Sequence, residues 1–282
     1  MEQILKLPFK LEIDKDLVLH GDVTMLDHDR EKPVVMLVHG FKGFKDWGFF
    51  PYLSEQLALR GYAAISFNFS CSGVGQRDFD ELVKFGKNTY SREQADLHFL
   101  MSQLRAGELP LSGRFDRERI ALLGHSRGGG NSILYASEHP EFKAVVTWNG
   151  IADADLFDET FRKEVISSGV GYVTNARTKQ EMPIESSFFE DLDFNAERFN
   201  IIDAIAKLPI PVLTVQGDRD SERLVKGHER LREASPNQEH FVISGANHTF
   251  GTVHPFIGPT DHLNSAIELT VNFLNKHVLK GY

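Results

Sequence analysis

Gly124-His125-Ser126-Arg127-Gly128 constrains this chain more than any other stretch, with the apolar run Arg119-Ile120-Ala121-Leu122-Leu123 before it and the small-residue stretch from Gly128 to Ile133 after it. A serine flanked at this spacing by two glycines, between a strand and a helix, is a nucleophile elbow. The glycines let the chain turn sharply out of the strand where a larger residue would strike the neighbouring strand and helix. The turn lifts the serine hydroxyl to the lip of a sheet, among backbone N–H groups.

A serine hydroxyl is a weak nucleophile at neutral pH. It needs a neutral imidazole to take its proton, and the imidazole needs a carboxylate to hold its tautomer and stabilise its cation. In such folds the partners follow in the order acid, then histidine. Pro211-Val212-Leu213-Thr214-Val215 reads as a buried strand and leads into Gly217-Asp218-Arg219-Asp220, and Phe241-Val242-Ile243 leads into Gly245-Ala246-Asn247-His248. Open α/β sheets bind ligands beyond the carboxyl ends of their strands, so Ser126, an Asp and His248 can converge although far apart in the chain.

With these motifs in order, the sequence resembles the α/β-hydrolase superfamily over nearly its whole length. The resemblance is carried by the elbow Gly124-His125-Ser126-Arg127-Gly128-Gly129, the strand and loop Val34-Val35-Met36-Leu37-Val38-His39-Gly40-Phe41, the acid turn and the histidine turn. It is most similar to the small bacterial esterases that include cinnamoyl and feruloyl esterases. It is also similar to dienelactone hydrolases, which usually carry a cysteine where this chain has Ser126. The resemblance implies a triad of Ser126, Asp220 and His248, with oxyanion-hole N–H groups from Phe41 and Arg127. Two such donors are worth about 3 to 4 kcal/mol each. The family pattern, with the acid three residues after the glycine, selects Asp220 over Asp218, which is read as a turn residue bonding its own backbone. Asp153 and Asp155 are the fallback acids. The loop His39-Gly40-Phe41-Lys42-Gly43 lacks the triple glycine of many lipases, which points away from large lipids.

The remaining histidines are read as structural: His39 bracing its loop and His125 filling a place beside the serine without chemistry of its own. His248, His254 and His262 lack the spacing of a zinc helix, so no metal is expected. Neither a phosphate loop nor a dinucleotide fingerprint is present, and no cofactor is expected.

Strand and helix patterns alternate along the chain, which specifies a mostly parallel central sheet flanked by helices. Leu5 to Ile13 and Leu17 to Met25 read as an N-terminal antiparallel hairpin. Helical patterns fall at Pro51 to Arg60, Ser91 to Arg105, Gly128 to Glu138, Glu222 to Ala234 and Ile267 to Val278. The expectation is one α/β-hydrolase domain over residues 1–282. The alternation lapses between Gly150 and Leu208, so residues 151–208 are read as a lid inserted over the site. Trp148, Phe157 and Phe188 are the candidate substrate-binding residues, and packing of the insertion onto the sheet is the competing reading of its phenylalanines.

The chain carries 41 % hydrophobic and 25 % charged residues, enough for a full core. Its net charge of −9 gives no footing for nucleic acid or an anionic membrane. No apolar run is long enough to span a bilayer. A single cysteine, Cys71, and the absence of a signal-like start lead to a cytoplasmic expectation. The expected partner is a small-molecule ester with a small to medium acyl group, aromatic ones included, cleaved through an acyl-enzyme. The alternatives are thioester or amide cleavage by the same triad, and an inert binding module on the same fold.

Overall fold

The computed structural model describes residues 3–279. Strands β1 (Ile4–Glu12) and β2 (Val18–Leu26) pair antiparallel as the expected hairpin. Then follow β3 (Lys32–Val38), α1 (Phe50–Leu59), β4 (Ala63–Asn68), α2 (Leu82–Gly86), α3 (Tyr90–Ala106), β5 (Phe115–His125), α4 (Arg127–Glu138) and β6 (Ala144–Trp148). Residues 151–208 hold α5 (Glu159–Ser168), β7 (Val170–Thr174), β8 (Glu181–Glu185), α6 (Ser186–Phe194) and α7 (Ile201–Lys207). The chain returns through β9 (Val212–Gly217), α8 (Glu222–Ala234), β10 (Glu239–Ile243) and α9 (Asp261–Leu274).

The main sheet has the order β1-β2-β4-β3-β5-β6-β9-β10, and every pairing from β4 to β10 is parallel. β3 and the Ile120–His125 half of β5 are buried along their whole length. That burial explains their unbroken apolar runs, because a parallel sheet is covered on both faces. One face packs against α3, α4 and the 151–208 segment, and the other against α1 and α9. After β3 the chain goes to β4 on one side, then crosses back to β5 on the other. The loops following β3 and β5 therefore diverge at a topological switch point, where open sheets form their binding crevice.

Two sequence readings differ from the structure. The last helix begins at Asp261, where the Thr260 hydroxyl accepts from Leu263 N–H and caps it, and it ends at Leu274 before a π-helical turn over Asn275–Leu279. Residues 151–208 are regular where the alternation lapsed, since their hairpin β7-β8 forms a sheet of its own and their helices are short. Among the described residues no helix is long and apolar enough to cross a membrane.

Candidate active site

The elbow is built by backbone crowding. A Cβ on Gly124 would lie 2.1 Å from the carbonyl oxygen of Gly128, and one on Gly128 would lie 2.1 Å from that of Val38. No side chain fits at either place, so strand β5 can pass directly into α4 alongside β3 only with glycine there. Ser126 has φ 56° and ψ −122°. A non-glycine residue in that region costs about 1 to 3 kcal/mol and is held there by its surroundings. The Ser126 N–H donates to Trp148 O at 2.9 Å, and its carbonyl accepts from Gly129 and Ile151 N–H.

The loop after β3 lies directly on this turn. A Cβ on Gly40 would be 2.9 Å from Ser126 Cβ and 3.3 Å from Arg127 N, which brings the backbone leading into Phe41 against the serine. Arg127 is the first residue of α4, where the N–H has no acceptor within the helix. His39 holds the loop. Its Nε2 accepts from Phe69 N–H at 3.3 Å, so the proton sits on Nδ1 and is donated to Gly40 O at 3.0 Å. Burial lowers its pKa to about 4, and the nearby Arg127 charge adds to that.

The carboxyl ends of β9 and β10 supply the other two side chains. His248 Nδ1 lies 2.7 Å from Asp220 Oδ2, and as a carboxylate only accepts, Nδ1 carries a proton, so that in the neutral ring the lone pair is on Nε2. The Asp220 side chain is 3 % exposed and that of His248 is 37 % exposed. Burial raises the pKa of Asp220, but the bond and charge of His248, Ser221 N–H at 2.6 Å and Gln216 Nε2 at 3.2 Å outweigh it and leave the carboxyl below its usual range.

The backbone of His248 is tied to the elbow. Its carbonyl accepts from His125 Nε2 at 2.8 Å and from Asn149 Nδ2 at 2.9 Å, and the two imidazole rings are 4.8 Å apart. Burial, then the neighbouring His248, push the pKa of His125 down to about 3, so it stays neutral and keeps the Nε2 proton it donates. Asn149 is fully buried, with φ 46°, and its Oδ1 accepts from Gly217 N–H at 2.7 Å. One side chain thus joins the strand end before the acid to the loop that carries the histidine. Sequence reasoning missed Asn149 and credited His125 with no such bond. A polar residue at the end of a buried strand, directly after Trp148, was the available signal.

Asp218 does not bond its own backbone as expected. Its carboxylate accepts from Gly245 N–H at 2.7 Å and Ser244 Oγ at 3.0 Å, stapling the acid turn to the histidine turn. The fallback acids are engaged elsewhere, Asp153 with Arg230 at 2.8 Å and Asp155 with Arg162 at 2.7 Å.

The three aromatic candidates part company. Trp148 is fully buried on the α1 and α9 face, against Phe49 and Phe250, with Nε1 donating to Thr270 Oγ1 at 2.9 Å, so it does not face the serine. Phe188 is buried between the 151–208 segment and α3, packed on Tyr90 and Arg127. Phe157 is half-buried and meets the ring of Phe41 edge-on at 5.9 Å, above the loop after β3. The cavity that includes Ser126 holds about 140 Å³ and is lined by Ile151, Ala152, Asp153, Leu156, Ser221, Arg223 and Leu224. Of those lining residues only Asp153 stood out in the sequence, and as a fallback acid, not as part of a pocket wall. A larger groove of about 920 Å³, bounded by Asp16, Asp80 and Lys84, lies elsewhere and does not include the serine.

A family model described as the alpha/beta hydrolase fold matches residues 33–168. Est1E from Butyrivibrio proteoclasticus, solved with ferulic acid bound, superposes with a TM-score of 0.71 at 19 % identity over 96 % of this chain and 100 % of that one. A dienelactone hydrolase from Anabaena variabilis does so with a TM-score of 0.64 at 15 % identity, over 98 % and 99 %. An uncharacterized 31.7 kDa Escherichia coli protein from the traX-finO intergenic region is 26 % identical over 124 residues. That stretch is 44 % of this chain and 39 % of the curated relative's length.

Proposed function

Starting from a chain that has the α/β-hydrolase fold, we propose that it is a serine hydrolase cleaving carboxylic esters of small to medium acyl groups through an acyl-enzyme. The observation that carries this reading is the 2.7 Å bond between His248 Nδ1 and Asp220, at strand ends adjoining a strained Ser126, because it leaves Nε2 as a base. In the proposed cycle Nε2 takes the Ser126 proton as Oγ attacks the ester carbonyl. The N–H groups of Phe41 and Arg127 receive the oxyanion, and the imidazolium then protonates the departing alcohol. Water, deprotonated by the same nitrogen, attacks the acyl-enzyme and releases the acid. Every proton returns and no cofactor is consumed.

The cavity supports a size limit. A volume of about 140 Å³ is close to the roughly 150 Å³ that accommodates a single benzene ring, so the space beside Ser126 suits a short acyl chain or one aromatic ring. Residues 151–208 form the lid in this reading, with Phe157 over the loop after β3 and Phe188 packing the lid down. The lone, buried Cys71 and the net charge of −9 fit a cytoplasmic enzyme acting on a small molecule and binding neither nucleic acid nor membrane.

A p-nitrophenyl ester series of increasing acyl length, with methyl hydroxycinnamates beside it, tests the proposal. Wild type is expected to turn over the short and the aromatic esters and to be labelled at Ser126 by a fluorophosphonate. Ser126→Ala and His248→Ala are each expected to lose nearly all turnover, and wild-type rates in either reject the assignment. An unlabelled wild-type chain favours the inert module, and turnover confined to thioesters or amides redirects the substrate class.

A further inference from the structure

Behind the elbow lies a buried charge cluster that the proposed cycle does not use. Glu93, on the first turn of α3, has a side chain 5 % exposed, and Arg127 one that is 2 % exposed. Glu93 Oε2 accepts from Arg127 Nε at 3.1 Å and closely from Asn131 Nδ2, while Oε1 accepts from Asn88 Nδ2 at 2.7 Å. Gln94 donates to both the carbonyl and the side-chain oxygen of Asn131 at 3.1 Å. The guanidinium carbon sits 4.1 Å from the ring centre of Tyr90 and 5.2 Å from that of Phe188.

Stability alone is a weak reason for this arrangement. Burying an ion pair costs several kcal/mol per ion before the partners repay it, and well-packed apolar residues of equal volume often do as well or better. Arg127 Nη2 is buried with no hydrogen-bond partner among the described residues, which adds a further cost. An ion pair supplies direction, which an apolar pair does not. Residues at the first turn of a helix are held by the ladder on one side only. Arg127 and Asn131 are four apart, so they share one face of α4, and both are gripped by the one carboxylate. The grip lands on the residue whose N–H is the proposed second oxyanion donor. Pairing also cancels the carboxylate charge, which otherwise would oppose the positive helix end that an oxyanion needs.

We propose that Glu93 is a positioning residue, which acts through the Arg127 side chain to aim the Arg127 N–H at the oxyanion. This rests on the serine-hydrolase reading. Tyr90 and Phe188 complete the clamp from α3 and from α6, so the 151–208 segment bears on the same donor. The Tyr90 hydroxyl donates to Ala154 O at 2.8 Å and closes that link.

The test is Glu93→Gln, which keeps the volume and removes the charge. A misaimed donor acts on the transition state more than on substrate binding. Turnover per fluorophosphonate-labelled serine is expected to fall about 10- to 100-fold with KM within about twofold. The discriminating readout is the preference for an oxoester over the matching thionoester. Sulfur is poorly held by N–H donors set for oxygen, and a loosened pair discriminates less, so the ratio is expected to shrink by about tenfold. A merely structural role lowers the labelled fraction and leaves the ratio unchanged. An unchanged ratio in folded Glu93→Gln overturns the inference while leaving the serine-hydrolase reading intact, whereas an unlabelled, inactive wild type overturns both. If Glu93→Gln does not fold, Arg127→Lys reads the same quantity. It retains the peptide N–H and the charge but not the Nε contact, and a wild-type ratio there equally overturns the inference.

Discussion

Replacing Asp220 with asparagine separates the geometry of the acid from its charge, and the hydrogen bonds around it dictate the result. Ser221 N–H can only donate, so the new amide must turn its oxygen toward it, in the place of Oδ1 at 2.6 Å. The NH2 group then faces His248 Nδ1, where the carboxylate oxygen stood at 2.7 Å. Nδ1 must become an acceptor, the ring proton moves to Nε2, and the base has no lone pair for Ser126. Gln216 Nε2 gives up its long 3.2 Å contact to the acid but keeps its bond to Gly217 O at 3.0 Å, so folding is tolerated. The same change of tautomer in serine proteases costs about 10⁴-fold in kcat, or about 5.4 kcal/mol of transition-state stabilisation. Asp220→Asn should therefore melt within about 3 °C of wild type while hydrolysing p-nitrophenyl acetate about 10⁴-fold more slowly at saturating substrate. A folded Asp220→Asn enzyme keeping more than a tenth of wild-type kcat refutes the role given to the carboxylate.

Asn149→Ala strips the Gly217 N–H of its acceptor and His248 O of one of two donors. An orphaned buried N–H costs about 1 to 3 kcal/mol, so thermal melting should drop by about 2 to 10 °C, and an unchanged melt would show that water replaces the amide without loss. Stability should also fall with acid. His39 and His125 stay neutral in the fold down to about pH 4 and 3, whereas the unfolded chain takes up those protons near 6.5. The melting temperature is thus expected to be level above about pH 6.5 and to decline from there toward pH 4, with Asp220 adding its loss only below the ordinary carboxylate range; a flat profile from 7 to 4 contradicts the buried histidines. Leu224→Ala widens the cavity beside Ser126. The ratio of kcat/KM for a longer acyl chain over acetyl should rise by about tenfold or more, the scale set by a methylene or two in an apolar pocket, and an unmoved ratio would place the acyl group elsewhere.

The architecture was legible because its signals are local. β3 and β5 are covered on both faces, so their apolar runs are continuous and bounded by glycine and charge, and the helices between them carry the matching period. The 151–208 segment was less legible for the opposite reason. Its hairpin β7-β8 is half exposed and belongs to no larger sheet, and its helices are held by contacts made far away, such as Ile201 against Gly130 of α4. Its phenylalanines gave no periodic pattern, and Phe188 and Phe189 are buried against the sheet core while Phe194 is 90 % exposed.

The candidate site divides along the same line. Ser126, Asp220 and His248 each follow a strand end, where a few adjacent residues announce a turn. The groups that orient them do not, since Glu93 is 34 residues from Arg127 and Asn149 is 68 from Gly217, and only the closed sheet brings them together. Trp148 shows how narrow the margin is. It pairs in register with His125, one residue before the nucleophile, and so sits at the correct level of the sheet. Successive side chains on a strand point to opposite faces, however, and proximity along the strand says nothing of which face a ring occupies. Trp148 turns to α9 and Thr270, while Asn149, one residue on, turns to His248. A sequence can name the level of a site from its strand ends, but assigning the side chains that line it requires the parity of each strand, which the pairing of distant strands decides.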